Sequence, residues 1–596
     1  MQGPQDKTYL FEQMPVSRAV LRQILPSIAS QMVLLAYNLA DTYFVGLLND
    51  PGQTAAVSVA GTVTVLMTAV ANLFAVGGAS SMAQALGRHD GRRAGEIASI
   101  SFWWCLVCAV LFSVLFRMLS SPLLHLCGAT ADTYTAAASY AGWVVVFGGP
   151  CAIMNILLSN LLRSRGSALA ASAGVSLGGI INIVLDPFFV LPRFLGLGAE
   201  GAGLATAVSG GVGTVFLLLC VLLRPGVLSL HPRHLRATRT QIGNILKIGF
   251  PSCAQYLLTM VAVGALMKFM SAYDTRAVAA LGIVKKLDML PLYVSIGVSG
   301  GILPLLAYNY ASGDQQRRHN VFLRGCRISV VFSLVCVGVY EIFAPTLTGL
   351  FIDDPSTIAY GASFLRIMVL AMPMMAVCYP MITQFQAMGR AKESLICSVL
   401  RKGVLDIPLL FLLDGLIPIY GCTMVQPVVD CISMVVALLL YRRVQRQLPP
   451  LDIPGILSYN TAKLLTPKVI LEAEDAPKRE SPAPGGSCGR VAEAMRLFCR
   501  AKNKQEVSFM ETRVALVGII VENEASVAKL NELLHRYGSY IIGRMGLPYR
   551  EKGVNIISVV LDAPQDIISA LSGQIGRLDG VSSKTQYSHI ITPSEE

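Results

Sequence analysis

The sequence predicts an all-α membrane protein with twelve transmembrane helices in two six-helix lobes, plus a small C-terminal α+β domain of ferredoxin-like (βαββαβ) topology. Three observations predict this. Of the 596 residues, 54% are hydrophobic and only 14% are charged, whereas soluble domains carry about 25% charged residues. Long apolar segments fill two stretches that resemble each other. Residues 511–596 instead alternate short β-rich runs with amphipathic helical runs.

The two apolar stretches carry the same landmarks at a nearly constant offset. Three sets recur 225, 224 and 220 residues later: Pro26-Ser27 as Pro251-Ser252, Asp90 and Arg93 as Asp314 and Arg317, and Gly201-Ala202 as Gly421-Cys422. Two copies of a six-helix unit can enclose a path between them and rock against each other. The repeat is therefore typical of a transporter.

A membrane-spanning helix needs about 20 mostly apolar residues. Twelve segments meet this need: 23–47, 55–84, 95–118, 134–162, 168–192, 200–223, 245–272, 278–309, 322–347, 357–387, 393–417 and 420–443. They predict an N-lobe over 1–223, a cytoplasmic inter-lobe loop over 224–244 and a C-lobe over 245–448. Six is an even number, so both lobes insert the same way up, with their pseudo-symmetry axis along the membrane normal.

The net charge of +12 follows the membrane topology. Arg and Lys residues follow the even-numbered segments, while the other loops are short or acidic, so the positive-inside rule places both termini in the cytoplasm. This placement argues against a nucleic-acid partner. The first residues are polar, so we expect no cleavable signal peptide and expect the first span to direct insertion.

Fourteen cysteines lie mostly inside apolar helices. Cys105 and Cys108 form a C-x-x-C pattern without a second pair or a nearby histidine. This context favours core packing over metal or redox chemistry. We predict no structural disulfides.

The chain changes character after the last apolar segment. Residues 449–510 are rich in proline and charge, which predicts a flexible cytoplasmic linker with one amphipathic helix at 489–502. In the final segment, strands are predicted at 514–521, 540–545, 554–561 and 581–587, and helices at 524–536 and 564–576. Their order is that of a split βαβ fold.

Two carboxylates within the N-lobe spans predict a functional site, because burying an ionisable group in a membrane is costly. Asp41 lies in the first segment and Asp186 in the fifth, and neither helix offers a Lys or Arg partner. Asn182 shares a helical face with Asp186. Such oxygen ligands suit Na⁺ or a proton. An alternative stays open, in which both carboxylates lie near helix ends and face water.

The C-lobe spans carry charges of both signs. Lys285 and Asp288 lie in the eighth segment, and Lys402 and Asp406 in the eleventh, spaced to pair on one helical face. Two interpretations stay open. The charges lie at the cytoplasmic ends of the helices or line a water-filled cavity, or they take part in substrate binding or coupling.

Several stretches give the membrane part a family resemblance: 25–27 (LPS), 38–46 (NLADTYFVG), 77–81 (GGASS), 182–187 (NIVLDP), 201–206 (GAGLAT) and 304–310 (PLLAYNY). Residues 15–445 resemble transporters of the multidrug and toxic compound extrusion (MATE) family, in particular its prokaryotic branch. The resemblance implies antiport driven by H⁺ or Na⁺, with no other cofactor.

The resemblance also assigns residues. It places a cation-coupling site at Asp41, Asn182, Asp186 and Thr206, and no metal site beyond Na⁺ at these four. Pro26 matches the proline at which the family's first helix bends. We expect Tyr37, Tyr140 and Asn155 to line the N-lobe cavity.

The tail has a resemblance of its own. Stretches 531–535 (NELLH), 546–551 (GLPYRE), 570–576 (ALSGQIG) and 580–581 (GV) are similar to ACT-like domains of the iron-only hydrogenase system regulator family. This implies a regulatory domain that self-associates or binds a small effector. His535 and His589 stand apart in the sequence, and neither is expected to be a metal ligand.

The sequence therefore predicts a multi-pass antiporter of a prokaryotic plasma membrane that exports organic, cationic and amphipathic compounds. No nucleophile–base pair or metal-ligand pattern suggests an enzyme. Two alternatives stay open. One is a flippase-like exporter of lipid-linked or other metabolites, and the other is a transport-inactive sensor that signals through its tail.

Overall fold

The computed structural model describes residues 5–48, 50–127, 131–223, 230, 239–448, 511–523, 525–549 and 554–593. The chain divides into two compact units, Met1–Tyr459 and Asn460–Glu596. The predicted linker over 449–510, with its helix at 489–502, lies outside the described residues, as does most of the predicted inter-lobe loop.

The described elements of the first unit are helices that follow the predicted repeat. The N-lobe contains α1 (Gln5–Glu12), α2 (Val16–Gly46), α3 (Pro51–Gly87), α4 (Gly91–Leu126), α5 (Ala131–Ala141), a π-helical turn (Gly142–Phe147), α6 (Gly149–Ser164), α7 (Ala168–Val190) and α8 (Gly198–Leu222). The C-lobe contains α9 (Arg239–Met270), α10 (Thr275–Ala311), α11 (Gln315–Gly349), α12 (Pro355–Val369), α13 (Met372–Ala387), α14 (Ala391–Val399), a second π-helical turn (Leu400–Val404), α15 (Asp406–Leu416) and α16 (Tyr420–Gln445).

The described helices confirm a multi-pass membrane protein but correct the shape of three spans. Nine of them are long and apolar enough to cross a membrane, and two bent pairs raise the number to eleven. The predicted spans 134–162 and 357–387 bend by 49° and 45°. The predicted span 393–417 is broken at the second π-helical turn, where Lys402 leaves helical geometry. Hydropathy cannot detect such breaks, because they change hydrogen bonding and not apolar content.

Several helices begin before the apolar segment that predicted them. Asp90 and Asp314 are N-caps: the backbone N–H of Arg93 donates to the Asp90 carboxylate at 2.9 Å, and that of Arg317 to Asp314 at 2.8 Å. Each cap satisfies an amide that a helix start would otherwise leave unpaired. The recurring Asp and Arg pair thus marks the start of α4 and α11.

The two lobes meet through glycines that allow backbone contact. A Cβ on Gly77 would clash with the Ile245 carbonyl, and one on Gly249 with the Leu73 carbonyl, where α3 crosses α9. At the related crossing of α10 over α2, a Cβ on Gly301 would lie 2.9 Å from the Ile24 Cα. Small residues let membrane helices approach this closely. These crossings lie near the end of the bundle that carries the basic loops.

The repeat can be aligned residue by residue through equivalent contacts. A Cβ on Gly179 would meet Val33 at 2.7 Å, and one on Gly403 would meet Leu258 at 3.0 Å. Gly403 follows Gly179 by 224 residues, and Leu258 follows Val33 by 225, so the two contacts are equivalent in the repeat. In the same way, Gly201 faces the carbonyl of Phe189, and Gly421 faces that of Leu413. The α7–α8 and α15–α16 pairs are therefore structural copies, despite the break before α15.

The second unit has the predicted ferredoxin-like fold. It comprises β1 (Glu511–Val521), α17 (Ser526–Arg536), β2 (Ile541–Tyr549), β3 (Val554–Pro564), α18 (Gln565–Ile575) and β4 (Val581–Pro593). The four strands form an antiparallel sheet in the order β2-β3-β1-β4. Alternate residues of β1, such as Val517 and Ile519, pack against Leu534 of α17 and Leu571 of α18.

The close crossing of α3 and α9 predicts that valine substitutions at two glycines of α9 differ in their effect on thermal stability. Gly249→Val should lower the thermal midpoint of the detergent-solubilised protein, because its side chain must displace the Leu73 backbone; overpacking of this kind costs about 1–3 kcal/mol. Gly264→Val, which meets open space on the same helix, is the matched control. Equal midpoints in a fluorescence-detected size-exclusion melt would contradict the close crossing.

Candidate functional site

Four helices bring the predicted N-lobe residues together. Asp41 comes from α2, Asn182 and Asp186 from α7, and Thr206 from α8. The Asn182 Nδ2 donates to Asp186 Oδ1 at 3.4 Å and to Thr206 Oγ1 at 3.2 Å. Tyr140, from α5, donates its hydroxyl to Asp41 Oδ2 at 3.0 Å. The resulting group links both carboxylates to the polar residues around them.

Both carboxylates are buried, so the alternative in which they face water is wrong. Asp41 is 7% exposed and Asp186 is 0% exposed. The two interact electrostatically with each other and with Tyr37, which is half-buried beside them. Among the described residues, the ion pairs include none with Asp41 or Asp186. This leaves two buried acidic groups without a basic partner among the described residues.

Three buried oxygens in the group have no hydrogen-bond partner within the described part of the chain: Asp41 Oδ1, Asn182 Oδ1 and Asp186 Oδ2. An unpaired buried polar atom costs free energy. Carboxylate and amide oxygens are also the ligands that hard cations prefer. The residues therefore fit a small cation or a proton, which would satisfy atoms that the protein leaves unpaired.

Two other predicted N-lobe residues lie apart from this group. Asn155 donates to Thr214 Oγ1 at 3.4 Å, about two turns along α8 from Thr206. Pro26 lies inside α2, which continues through it from Val16 to Gly46. It stands next to the lobe crossing at Ile24, where a bend would change the contact between the lobes.

The C-lobe contains a charge network that the sequence reading only partly found. Arg401 Nε lies 2.7 Å from Asp430 Oδ1, and the two side chains are 2% and 1% exposed. Gln426 bridges Asp430 and Lys402: its Nε2 donates to Asp430 Oδ2 at 2.8 Å, and its Oε1 accepts from Lys402 Nζ at 2.7 Å. The Arg401 guanidinium also stacks over Tyr379, 4.7 Å from the ring centroid.

The predicted C-lobe residues contribute to this network in an unexpected way. Lys402, whose backbone leaves helical geometry within the π-helical turn, donates to Gln426, and the ion pairs among the described residues include none between Lys402 and Asp406. Lys285, Lys402 and Asp406 instead line one cavity of about 30 Å³, large enough for water but not for an organic substrate. Asp288 interacts electrostatically with Lys285, Lys402, Arg401 and Asp430.

Sequence reasoning missed Arg401 and Asp430. The available signal was the rule applied to Asp41, since each lies within a predicted span. Their opposite charges on the last two spans were compatible with a pair. Only the fold shows that they meet.

Comparison with known proteins assigns the membrane part. The family model described as MatE matches residues 26–188 and 251–412, one match in each lobe and together more than half of the chain. The chain belongs to the MATE family. This confirms the resemblance drawn from the sequence and identifies the protein as a membrane transporter.

Curated relatives of this MATE transporter cover both lobes. It is 25% identical over 435 residues to the multidrug export protein MepA of Staphylococcus saprophyticus, covering 73% of this chain and 95% of the relative. It is 24% identical over 416 residues to MepA of Staphylococcus haemolyticus, covering 70% and 91%.

Solved structures support the fold of the MATE transporter. A MATE protein in complex with MaL6 aligns with a TM-score of 0.69 at 24% identity, over 74% of this chain and 98% of that chain. A MOP superfamily transporter from Pyrococcus furiosus, described as having a binding pocket of reverse polarity, aligns with a TM-score of 0.70 at 23% identity over the same shares.

The tail of the MATE transporter matches a second family. The model described as iron-only hydrogenase system regulator covers residues 513–585, the part that forms the four-stranded sheet and its two helices. The match confirms that an ACT-like domain of this type follows the transporter.

The Arg401–Asp430 pair makes a stability prediction. Arg401→Met should lower the thermal midpoint strongly, because it leaves Asp430 buried without its cation, and breaking a buried pair typically costs about 3–5 kcal/mol. Arg366→Met is the control, since it removes a half-exposed partner of Glu341, a contact worth about 0–1 kcal/mol. Equal thermal midpoints for the two variants would show that the Arg401–Asp430 pair does not stabilise the protein.

Proposed function

We propose that this MATE transporter is a secondary active antiporter that exports organic, cationic and amphipathic compounds, driven by inward movement of H⁺ or Na⁺. The observation that carries this proposal is the buried pair Asp41 and Asp186, held without a basic partner among the described residues. No cofactor is needed besides the coupling ion. The relatives' printed function, multidrug export, supports the class of cargo.

The N-lobe group suggests how an ion could drive the cycle. Without an ion, two buried carboxylates repel each other and leave three oxygens unpaired, which disfavours any state that seals them from water. A bound cation or proton removes this cost. A ligand drives a conformational change only through such a difference in affinity between states. Ion binding would therefore favour one orientation of the lobes and ion release the other.

Local features of α7 would let the site respond. Pro187 directly follows Asp186, and its ring nitrogen cannot donate the helical hydrogen bond to the Ile183 carbonyl. The helix is thus weakened beside the ligand. The Asn182 side chain donates to Thr206 across the contact between α7 and α8, so a change in ion occupancy at Asp186 would act on both helices.

We further propose the membrane orientation and domain limits. The N-lobe (1–223) and C-lobe (245–448) would sit in the plasma membrane with both termini, the loop at 224–244 and the linker at 449–510 in the cytoplasm. The glycine crossings at the basic end would then close the cytoplasmic side, as in a state open to the outside. This arrangement matches an exporter poised to release its cargo.

The two carboxylates make the direct test of antiport. Asp41→Asn should abolish export of a cationic dye from proteoliposomes under imposed proton or sodium gradients, because the neutral amide can neither bind a proton nor supply an anionic ligand. Glu96→Gln is the control, since it removes only a surface carboxylate paired with Arg92. Export at the wild-type rate in Asp41→Asn would remove this residue from coupling.

The tail is proposed as a regulatory domain, 511–596, that self-associates through its sheet. The face of the sheet opposite α17 and α18 is apolar and exposed: Leu516 is 44%, Ile520 42% and Ile556 38% accessible. In the register, Leu516 pairs with Val560 and Ile520 with Ile556, so they form one patch. An uncovered apolar face of this kind is typical of an association surface.

Association of tails predicts an oligomer that depends on this patch. Leu516→Arg should shift the detergent-solubilised full-length chain to a smaller mass in light scattering, because a guanidinium cannot be buried between two apolar sheets. Lys584→Arg, which retains the charge of a residue on the neighbouring strand β4, is the control. A mass that is equal in wild type and Leu516→Arg would argue for a small effector instead.

A further inference from the structure

The C-lobe cavity is the repeat-related counterpart of the N-lobe ion site. The offsets set by equivalent contacts are 225 for α2 and α9, 224 for α7 and α15, and 220 for α8 and α16. Applied to Tyr37, Asp41, Asn182, Asp186 and Thr206, they give Ala262, Leu266, Asp406, Leu410 and Gln426. All five of these counterparts line the C-lobe cavity.

The N-lobe group and the C-lobe cavity differ in the charge of their side chains. Both N-lobe carboxylate positions hold leucine in the C-lobe, and the position of Asn182 holds Asp406. The C-lobe copy thus retains one carboxylate and one amide, Asp406 and Gln426. It adds the ammonium groups of Lys285 and Lys402, whereas the N-lobe group contains no basic residue.

The Lys402 side chain occupies space that is filled at the equivalent position of the N-lobe. Its counterpart is Gly178, where an added Cβ would lie 3.2 Å from the Ser209 carbonyl, so the two helices there leave no room for a long side chain. In the C-lobe, the π-helical turn opens the helix at Lys402, which takes the non-helical angles φ −134° and ψ 39°. Its Nζ then reaches Gln426 Oε1 at 2.7 Å.

The charges around the cavity balance. Lys285, Arg401 and Lys402 face Asp288, Asp406 and Asp430 in one group of electrostatically interacting side chains. Three positive charges meet three negative ones, while the N-lobe group has two negative charges and none to oppose them. Asp406 is 7% exposed, and its Oδ2 has no partner among the described residues. Asp406 lines the same cavity as Lys402.

We propose that Lys402 is an internal cation: its ammonium supplies in the C-lobe the positive charge that a coupling ion supplies in the N-lobe. The transporter would then bind its coupling ion in one lobe only, and Lys402 would set the number of ions per cycle. The role of Lys402 in transport rests on the proposed antiport. The charge balance of the C-lobe does not depend on it.

Removing the internal cation should create an ion site. In Lys402→Gln, the balanced group becomes one negative charge in excess, with Asp406 and Gln426 available as oxygen ligands. We expect the purified full-length chain to bind one more monovalent cation than wild type. The count is made in two ways, by saturation binding of radioactive sodium and by proton uptake on acidification, each compared with Lys402→Gln/Asp406→Asn, in which the additional ion should disappear.

Lys402→Arg is the matched control, because it keeps a positive charge at the same position and should leave the ion count at the wild-type value. An unchanged count in Lys402→Gln, or an additional ion in Lys402→Arg, would overturn the proposal. The test is separable from that of the antiport. If Asp41→Asn/Asp186→Asn bound as many ions as wild type, the assignment of the N-lobe ion site would fail. Adding Lys402→Gln to that double variant would still test the C-lobe proposal, because the additional ion is counted against the double variant itself.

Discussion

The constraint on which the structure depends is the cost of placing a charge where water cannot reach it. In a protein interior, an unpaired ion costs several kcal/mol, and its protein neighbours must repay this through opposite charge and hydrogen bonds. The C-lobe meets the requirement internally, because Arg401 holds Asp430 at 2.7 Å and Gln426 links Asp430 to Lys402. The N-lobe does not, since Asp41 and Asp186 share no basic partner within the described chain. The C-lobe therefore pairs Asp430 with a basic side chain, whereas the N-lobe leaves Asp41 and Asp186 without one among the described residues.

This asymmetry arises within a symmetric frame. The glycine crossings of α3 on α9 and of α10 on α2 repeat each other, and so do the close contacts of Gly201 and Gly421. Backbones in direct contact leave few alternative packings, so the contacts of Gly201 and Gly421 constrain the packing within each lobe, and the glycine crossings constrain where the lobes meet. The buried carboxylates of the N-lobe and the C-lobe cavity occupy equivalent places in the two copies but differ in charge. A symmetric scaffold thus carries two buried carboxylates without a basic partner among the described residues in one half and a group of opposite charges in the other.

Particular residues show how far the sequence could be followed. The i, i+4 spacing of Asn182 and Asp186 predicted a shared face, and the structure brings their side chains within 3.4 Å, because α7 is regular there. Lys402 and Asp406 have the same spacing, but Lys402 lies within the π-helical turn, and its Nζ donates to Gln426 Oε1. Tyr140 was assigned to the cavity by resemblance, yet its bond to Asp41 joins α5 to α2. Contacts between distant helices leave little trace in local spacing.

By itself, the sequence determined the membrane class, the two-lobe repeat, the ferredoxin-like tail and the presence of Asp41 and Asp186 inside spans. These follow from composition and periodicity, which act through local hydrogen bonding and burial. Only the tertiary structure decided that both carboxylates are buried, that Arg401 pairs with Asp430, and that the N-lobe carboxylates and the C-lobe cavity occupy equivalent places. The reason is physical: exposure and charge pairing depend on which helices pack together, and that packing is settled by side chains far apart in the chain.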